Sequence, residues 1–508
     1  MTLGDFENPE WLNASQKLLA DPNSFLAWEE LVAAAENNKG HGITKLSSEI
    51  EIKLFDISYE DFLSKYPFLE LYWVRYAETY FTLGSTRKAE EIFERGVSRV
   101  PASLELWIRY LCFRVETIGD NLYEVLSLFE RGRSKIGYHF HGHEFYKLYL
   151  AFLENYSSQD AKFKKKVFVL LRIIIEIPLY HYDFFFRKFF SLFNEQNLSP
   201  EVLPYLIPKK EEANFAGQDL RSISVKLKKI FTEVYITTQY KVYELYQFEK
   251  GITRHYFHVT YLSNQELKTW RNYLNFVELN YPHDYIILCY ERCVMATANY
   301  PTFRLRYSNY LIYNKKFEQA KQLLYNTLCY RTDDQILVKL ISLELTTGYF
   351  LKARDLVVSF IASNHNVPLS IYQKLLGIEA LVGSNDPHYL IKILRQLIQK
   401  TRLAWVFKFS IYMSLPNDLL TDFFNEFEEI FSSSYIYWSS LVLLSVRKGD
   451  DVRPIYEKAQ PRLLPEEALK LKTLCTQYTR LDKTHYAENY DLWLQTFLNP
   501  NRNSQLSQ

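Results

Sequence analysis

Glycine is scarce in this chain, and cysteine is both rare and scattered. The 508 residues include only 15 glycines, under half of the ~7% that is usual, which disfavours β-rich folds and folds built around glycine-rich ligand loops. The five cysteines contain no CxxC pair, so we expect a reducing compartment rather than a disulfide framework. The N-terminus has neither a basic region nor an apolar run, and no signal peptide is predicted.

An excess of charge of one sign and long hydrophobic runs are also missing. The 60 basic and 59 acidic residues give a net charge of +1, so no global attraction to nucleic acid or membrane is expected. The most apolar stretch, residues 167–179, is short and contains Arg172 and Glu176, which predicts no membrane span. Walker, GxGxxG, HExxH and GxSxG motifs are absent, so no enzyme, cofactor or small-molecule substrate is predicted.

What the chain does contain is an internal repeat of two short motifs. An aromatic, an acid, a base and a small residue follow one another at Phe93-Glu94-Arg95-Gly96, Phe129-Glu130-Arg131-Gly132 and Tyr290-Glu291-Arg292-Cys293, and more loosely at residues 456–459. A Trp-x-x-Tyr motif precedes the first three, at Trp73 and Tyr76, Trp107 and Tyr110, and Trp270 and Tyr273. We call the four-residue motif the repeat signature.

The spacing of these motifs predicts the fold class. First-helix anchor positions recur every 33–39 residues within two runs, Trp73, Trp107 and Tyr146 in the first half and Trp270, Arg304, Leu337, Tyr372, Trp405 and Trp438 in the second. Such a period is typical of stacked helix-turn-helix repeats. Apolar residues at helical spacing follow Lys88, and Pro101 then ends that helix because proline lacks a backbone donor. The sequence therefore predicts an all-α, α-α superhelix of helical repeats.

Two interruptions divide the predicted superhelix. Residues 194–222 contain three prolines and little periodicity, and we predict a linker or loop there. Residues 223–252 are predicted to form one long amphipathic connecting helix. This assigns residues 1–193 to an N-terminal array, residues 253–500 to a C-terminal array and residues 501–508 to a frayed tail.

The repeated motifs are interpreted as structural. An active site is not normally copied every 34 residues, so the Glu-Arg pairs are expected to form ion pairs between helices at the repeat seams. The Trp-x-x-Tyr residues could stack on bases, but their helical spacing favours core packing. His139, His141 and His143 are interpreted as a turn between repeats rather than a zinc site. Cys289 and Cys293 are likewise not expected to bind metal.

Two basic runs are candidates for partner or RNA contacts. They comprise Lys164, Lys165 and Lys166, and Lys226, Lys228 and Lys229. The alternative for each is a solvated helix face, whereas lysines that converge in space would bind RNA phosphates or an acidic partner.

The two motifs together resemble those of HAT (half-a-TPR) repeat proteins. Residues 66–113, 176–182 (EIPLYHY) and 248–278 (FEKGITRHYFHV and onward) are similar to the pre-mRNA-processing factor thirty-nine and forty-two family, with a preference for forty-two. This resemblance implies a nuclear, non-catalytic scaffold of the U1 snRNP that acts in splicing and 5′ splice-site recognition. It also implies pairing with a sister or identical HAT subunit through the C-terminal repeats, and contact with other U1 proteins and, indirectly or through basic patches, with U1 snRNA or pre-mRNA.

Three alternatives to this function remain at this point. One is a HAT scaffold of 3′-end cleavage or ribosomal RNA maturation. Another is a tetratricopeptide-type chaperone adaptor, which would need Lys, Arg and Asn on its concave helices. The last is a direct RNA-binding module, which would need the lysine runs to converge.

Overall fold

A computed structural model of the chain describes residues 8–38, 41–117, 121–158, 161–192, 203–207, 215, 219–330, 333–364, 367–382, 386–413 and 415–479. The backbone groups into two compact units, Met1–Thr332 and Asp333–Gln508. Nearly all described residues are helical, which confirms the predicted all-α class. A short antiparallel hairpin pairs Asn37–Asn38 with His41–Gly42.

The first unit consists of successive helices joined by short turns. Its helices are Pro9–Ala20, Phe25–Glu36, Glu49–Lys65, Glu70–Thr82, Thr86–Arg99, Leu104–Glu116, Leu122–Ile136, His143–Tyr156, Ala161–Ile174, Tyr182–Ser191, Leu203–Leu206, Leu220–Glu249, Asn264–Asn280, His283–Ala296, Pro301–Tyr313 and Phe317–Tyr330. A helix typically contacts the next one and the one after it, as Glu70–Thr82 contacts both Thr86–Arg99 and Leu104–Glu116. This pattern is that of stacked helix pairs.

The second unit is built in the same way. Its helices are Asp334–Thr346, Phe350–Ser363, Leu369–Val382, Pro387–Thr401, Trp405–Tyr412, Asn417–Glu426, Tyr435–Lys448, Arg453–Ala459 and Pro465–Thr479, with a 3-10 turn at Gln460–Arg462. The predicted anchors Leu337, Tyr372, Trp405 and Trp438 all lie in these helices. The repeat period therefore continues where the signature itself is weak.

Local sequence signals explain the helix boundaries. The Ser103 side chain accepts a hydrogen bond from the Leu106 backbone N–H and so caps helix Leu104–Glu116, satisfying a donor that the helix leaves free. Helix Thr86–Arg99 ends just before Pro101, as predicted. Gly84 turns the chain between the two helices of one repeat with a φ of 87°, a conformation that glycine adopts without strain.

The long helix spans Leu220–Glu249, three residues earlier at each end than predicted. Its inner face buries Ile223, Leu227, Phe231, Val242 and Leu245. This face packs against helix Tyr182–Ser191, where the Phe189 and Phe231 rings meet at 4.8 Å.

The remaining predicted boundaries fall largely outside the described residues. Within 194–222 the structure describes the one-turn helix Leu203–Leu206 and the start of the long helix, and it does not describe the predicted tail 501–508. The division into arrays at residues 193 and 253 stays a prediction. Among the described helices, none combines the length and the apolar character needed to cross a bilayer.

Candidate functional site at the repeat seams

In the three clear copies of the signature, the aromatic residue stacks on a tyrosine of the next repeat. Phe93 lies nearly parallel to Tyr110, with ring centroids 5.2 Å apart. The same arrangement joins Phe129 to Tyr149 at 4.6 Å and Tyr290 to Tyr307 at 4.8 Å. Each tyrosine lies three residues after a first-helix anchor, so this stack joins successive repeats.

The signature glutamate accepts a hydrogen bond from that same tyrosine. The Tyr149 hydroxyl donates to Glu130 over 2.5 Å, and the Tyr307 hydroxyl donates to Glu291 over 2.7 Å. Tyr110 donates to Glu94 in the same way. The tyrosine therefore packs its ring against one signature residue and satisfies the adjacent carboxylate.

The signature base binds the glutamate of the preceding seam. Arg131 donates to both oxygens of Glu94, at 2.7 and 2.8 Å, and Arg95 pairs with Glu60 of helix Glu49–Lys65, two helices earlier. Lys166 lies 2.9 Å from Glu130. The structure thus shows a ladder of ion pairs that runs from seam to seam.

This ladder lowers the pKa of Glu130. Burial opposes its ionisation, but hydrogen bonds from Tyr149, Lys166 and Arg133 outweigh burial and lower its pKa to about 2. Glu130 therefore stays ionised at neutral pH and can hold three donors at once.

The small residue of the signature lets the paired helices approach closely. A Cβ atom placed on Gly96 would lie 3.2 Å from the Cβ of Trp73, and one on Gly132 would lie 3.3 Å from the Trp107 ring. The signature arginine covers the same indole, since the Arg131 guanidinium lies 5.4 Å from the Trp107 ring centroid. Cation–π contacts of this kind add modest stabilisation.

Three of the five anchor tryptophans also close the turn before their own helix, whereas the buried indole N–H groups of Trp270 and Trp405 have no partner among the described residues. The indole N–H groups of Trp73, Trp107 and Trp438 donate to the backbone carbonyl six residues earlier, over 3.0, 2.9 and 2.7 Å. Arg304 makes the equivalent bond, from its guanidinium to the Ala298 carbonyl over 3.2 Å. The missing tryptophan at this position is therefore replaced by another side-chain donor, which sequence reasoning did not foresee.

The structure reveals a copy of the signature that the spacing argument missed. Phe248-Glu249-Lys250-Gly251 ends the long helix, and Phe248 stacks on Tyr273 with centroids 5.2 Å apart and planes 3° from parallel. Tyr273 donates to Glu249 over 2.7 Å. The aromatic-acid-base-glycine order was visible in the sequence and could have identified this copy.

Glu249 and Arg292 form the most buried ion pair of the ladder. Arg292 donates to both carboxylate oxygens, at 2.8 and 2.9 Å, and the two side chains are 3% and 1% exposed. Burial alone would raise the pKa of Glu249, but the charge and hydrogen bonds of Arg292 keep it lowered. A buried pair of this kind is costly to break, because the remaining charge is left without a partner.

Histidines from separate turns surround this pair. The turn that carries His139 and His141 places the His141 ring 5.2 Å from that of His255. His143 begins the helix after this turn, and its ring lies 4.4 Å from that of His181. Burial and the charge of Arg292 lower the pKa of His255 to about 4. Burial and the neighbouring His181 also lower the pKa of His143 to about 4. Both rings are therefore neutral at neutral pH.

A metal ion fits poorly among these residues. The ligand atoms of His141, Glu249 and His255 lie within 4.8 Å of one another, a grouping that could in principle hold a cation. Arg292, however, already occupies both oxygens of Glu249 and brings the positive charge that an ion would supply. The geometry therefore favours a hydrogen-bonded arginine over a metal centre.

The segments that carried the family resemblance fix the turns around this cluster. Phe257 is buried against Phe68, with ring centroids 6.0 Å apart, and Asn299 donates to the backbone carbonyl of His258. In EIPLYHY, the Tyr180 backbone N–H donates to the Phe140 carbonyl over 2.9 Å. These irregular stretches therefore tie the N-terminal helices to the region after the long helix.

The remaining candidate residues occupy different environments. Lys226, Lys228 and Lys229 are exposed on the long helix, Lys164 is exposed on helix Ala161–Ile174 and Lys165 is half-buried. Cys289 and Cys293 are buried and unbridged, and burial raises the pKa of both thiols. A buried, protonated thiol is a packing residue rather than a nucleophile.

Comparison with known proteins identifies the family. The family model described as the PRP39 N-terminal HAT repeat matches residues 13–191, and the PRP39 C-terminal HAT repeat matches residues 243–379. Together they cover more than half of the chain. The chain also resembles the crystal structure of CSTF-77, at 11% identity with a TM-score of 0.48 over 85% of this chain and 89% of that one.

Curated relatives carry both names of the predicted family. The chain is 33% identical to pre-mRNA-processing factor 39 of Schizosaccharomyces pombe, over 61% of this chain and 53% of the relative. It is 28% identical to the U1 small nuclear ribonucleoprotein component PRP42 of Saccharomyces cerevisiae, over 65% of each chain. It is 23% identical to human pre-mRNA-processing factor 39, over 60% of this chain and 48% of the relative.

These alignments span about half to two thirds of the relatives' lengths. The preference for the forty-two paralogue is compatible with them and stays a prediction. The matched family models, the helix pairs and the repeated seams agree with one another: this chain belongs to the PRP39 family of HAT-repeat proteins.

Proposed function

We propose that the protein is a non-catalytic scaffold subunit of the U1 snRNP, acting in pre-mRNA splicing and 5′ splice-site recognition in the nucleus. The observation that carries this proposal is membership of the PRP39 HAT family, whose relatives include a named U1 snRNP component. The seam geometry supports a scaffold, because the repeated charged residues bind one another and hold helices together.

The proposed mechanism is geometric. Within each unit the helices stack in pairs, as is usual in helical-repeat proteins, and the helix faces left at the surface would receive the partners. The C-terminal array, residues 253–500, would carry the repeats that pair with a sister HAT subunit or a second copy. The paired scaffold would then bridge the U1 core to other subunits without acting chemically on RNA.

Affinity purification tests the U1 assignment. We expect the tagged full chain to recover U1 RNA together with a second HAT protein from nuclear extract. Recovery of ribosomal RNA precursors, a 3′-end cleavage complex or a heat-shock chaperone in place of U1 RNA would contradict the proposal and support one of the alternative scaffolds.

Pairing is tested separately by light scattering of the purified chain. We expect a dimer, either of the chain alone or with its sister subunit. A chain that stays monomeric in both conditions would overturn the pairing proposal while leaving the U1 assignment to the purification experiment.

A further inference from the structure

The long helix Leu220–Glu249 has an outer face that is rich in exposed apolar residues. Val225, Ile236, Tyr240 and Tyr243 are between 59% and 69% exposed, while the opposite face is buried against the N-terminal repeats. We call Val225, Lys229, Ile236, Tyr240 and Tyr243 the outer stripe. Single exposed hydrophobic residues are common on proteins, but aligned groups of them mark interaction surfaces.

The spacing of the outer stripe is that of a helix-packing ridge. Ile236, Tyr240 and Tyr243 stand at positions i, i+4 and i+7, which fall on one side of an α-helix. Val225 and Lys229 continue the same line towards the N-terminus, so that the stripe extends over about 27 Å at ~1.5 Å per residue. A row of this kind is what one helix offers to the grooves of another.

The charge around the stripe selects the kind of partner. In this described helix five basic side chains are exposed, and the acids facing solvent are the exposed Glu233 and the half-buried Glu244, which interacts with Tyr240. The basic residues are Arg221, Lys226, Lys228, Lys229 and Lys241. The whole chain has a net charge of only +1, so the long helix is a local positive surface that complements an acidic partner.

We propose that the outer stripe docks an amphipathic helix of another protein, one whose apolar seam is flanked by acidic residues. A second copy of this chain is disfavoured, because two outer stripes would bring like charges together. RNA is disfavoured because the branched aliphatic side chains of Val225 and Ile236 cannot stack on bases, which leaves Tyr240 and Tyr243 as the aromatic groups of the stripe, next to each other at one end of it. The proposal does not depend on the U1 assignment.

Site-specific photocrosslinking finds the occupant. We would place p-benzoylphenylalanine at position 243 of the full chain, expose it to cell extract under light and sequence the crosslinked peptide. Position 313 serves as the matched control, because Tyr313 is also exposed, at 87%, and lies off the long helix. We expect position 243 alone to yield a peptide of a different protein with apolar residues at helical spacing and an excess of Asp and Glu.

Binding of a synthetic peptide with that crosslinked sequence, measured by fluorescence anisotropy, completes the test. Ile236→Asp should weaken binding of the peptide at least about tenfold, since it places a charge in the apolar seam. Lys229→Glu should weaken binding several-fold and reduce the dependence of the affinity on salt concentration. Lys268→Glu, an equal charge change at an exposed position on helix Asn264–Asn280, should leave affinity unchanged.

Several results would overturn the proposal. They are crosslinking of position 243 to RNA, crosslinking to another copy of this chain, identical products from positions 243 and 313, and a peptide whose affinity is the same for Ile236→Asp and wild type. Circular dichroism of each variant confirms that the fold is intact, so that lost binding reports on the surface.

Discussion

Two signature glutamates, Glu94 and Glu249, are each shared between a tyrosine and a base of the following repeat. Glu94 accepts from Tyr110 and from Arg131, and Glu249 accepts from Tyr273 and from Arg292. The chemistry is the same at both seams, but the exposure differs. Glu94 and Arg131 are 39% and 44% exposed, whereas Glu249 and Arg292 are almost fully buried.

Exposure should therefore decide how much each arginine contributes to stability. Arg292→Met is expected to lower the free energy of unfolding by about 3–5 kcal/mol, because it leaves a buried carboxylate unpaired. Arg131→Met, the matched control at an exposed seam, should cost about 1 kcal/mol or less. Urea denaturation of both variants measures the difference, and equal losses would contradict the assignment of the buried pair.

The low pKa of His255 predicts a pH dependence of stability. Its folded pKa of about 4 lies below the ordinary value of 6.5, so the unfolded chain binds the proton more readily between these values. The stability gained by burying a neutral His255 is therefore complete above about pH 6.5 and is lost as the pH falls towards 4. We would measure the free energy of unfolding of wild type and His255→Gln by denaturation across this pH range. The value for wild type should fall relative to that of the variant as the pH decreases, and a constant difference between the two would refute the prediction.

At the scale of the helix pair, close approach depends on the glycine of the signature. A Cβ on Gly96 would lie 3.2 Å from Trp73, whereas one on Gly377, also within a helix, meets no atom within 4 Å. The same residue type therefore serves packing at one position and has no packing role at the other.

Valine substitutions at these two glycines separate the roles. Gly96→Val should destabilise the protein by about 1–3 kcal/mol through overpacking. Gly377→Val should change stability by only a few tenths of a kcal/mol, since helix propensity differs little between these residues. Thermal unfolding of both variants provides the test, and a tolerated Gly96→Val would show that the helices can separate without cost.

The helix pairs could be predicted from the sequence because one apolar period governs each of them. Trp73, Trp107 and Trp270 were predicted to lie on the apolar faces of first helices. The structure places all three in such helices with their side chains buried. The seam partners could not be predicted in the same way, since Arg95 reaches Glu60 across 35 positions. Periodicity locates a residue on a face but does not say which neighbouring face it meets.

Periodicity also could not predict a contact that one repeat makes with a different residue type from the others. Arg304 donates to the carbonyl six residues earlier, as Trp107 does, although a guanidinium does not resemble an indole. The meeting of His141 with His255 likewise depends on how separate turns come together. Such contacts are set by tertiary packing, which a single sequence does not display.

At the scale of the first unit, one buried cluster joins the early repeats to the region after the long helix. It extends from Val32 to Ala298 and includes Phe231 and Phe257. Residues on both sides of the predicted boundary at 193 therefore contribute to the same core.

This shared core predicts how fragments behave. A fragment of residues 1–332 should fold cooperatively and resist limited proteolysis, because it keeps the whole cluster. A fragment of residues 1–193 should be degraded faster and melt at lower temperature, because Phe68 and Phe189 lose their ring partners Phe257 and Phe231. Equal resistance of the two fragments would support an independent N-terminal array instead.

The central claim for the whole molecule is that the repeat signature builds the scaffold and leaves recognition to its outer surfaces. The most direct measurement compares U1 RNA recovered from nuclear extract by the tagged wild type and by the Glu94→Gln/Arg131→Met variant, with unfolding of both measured in parallel. We expect equal recovery and a small loss of stability. A variant that keeps its fold and stability but no longer recovers U1 RNA would contradict the claim.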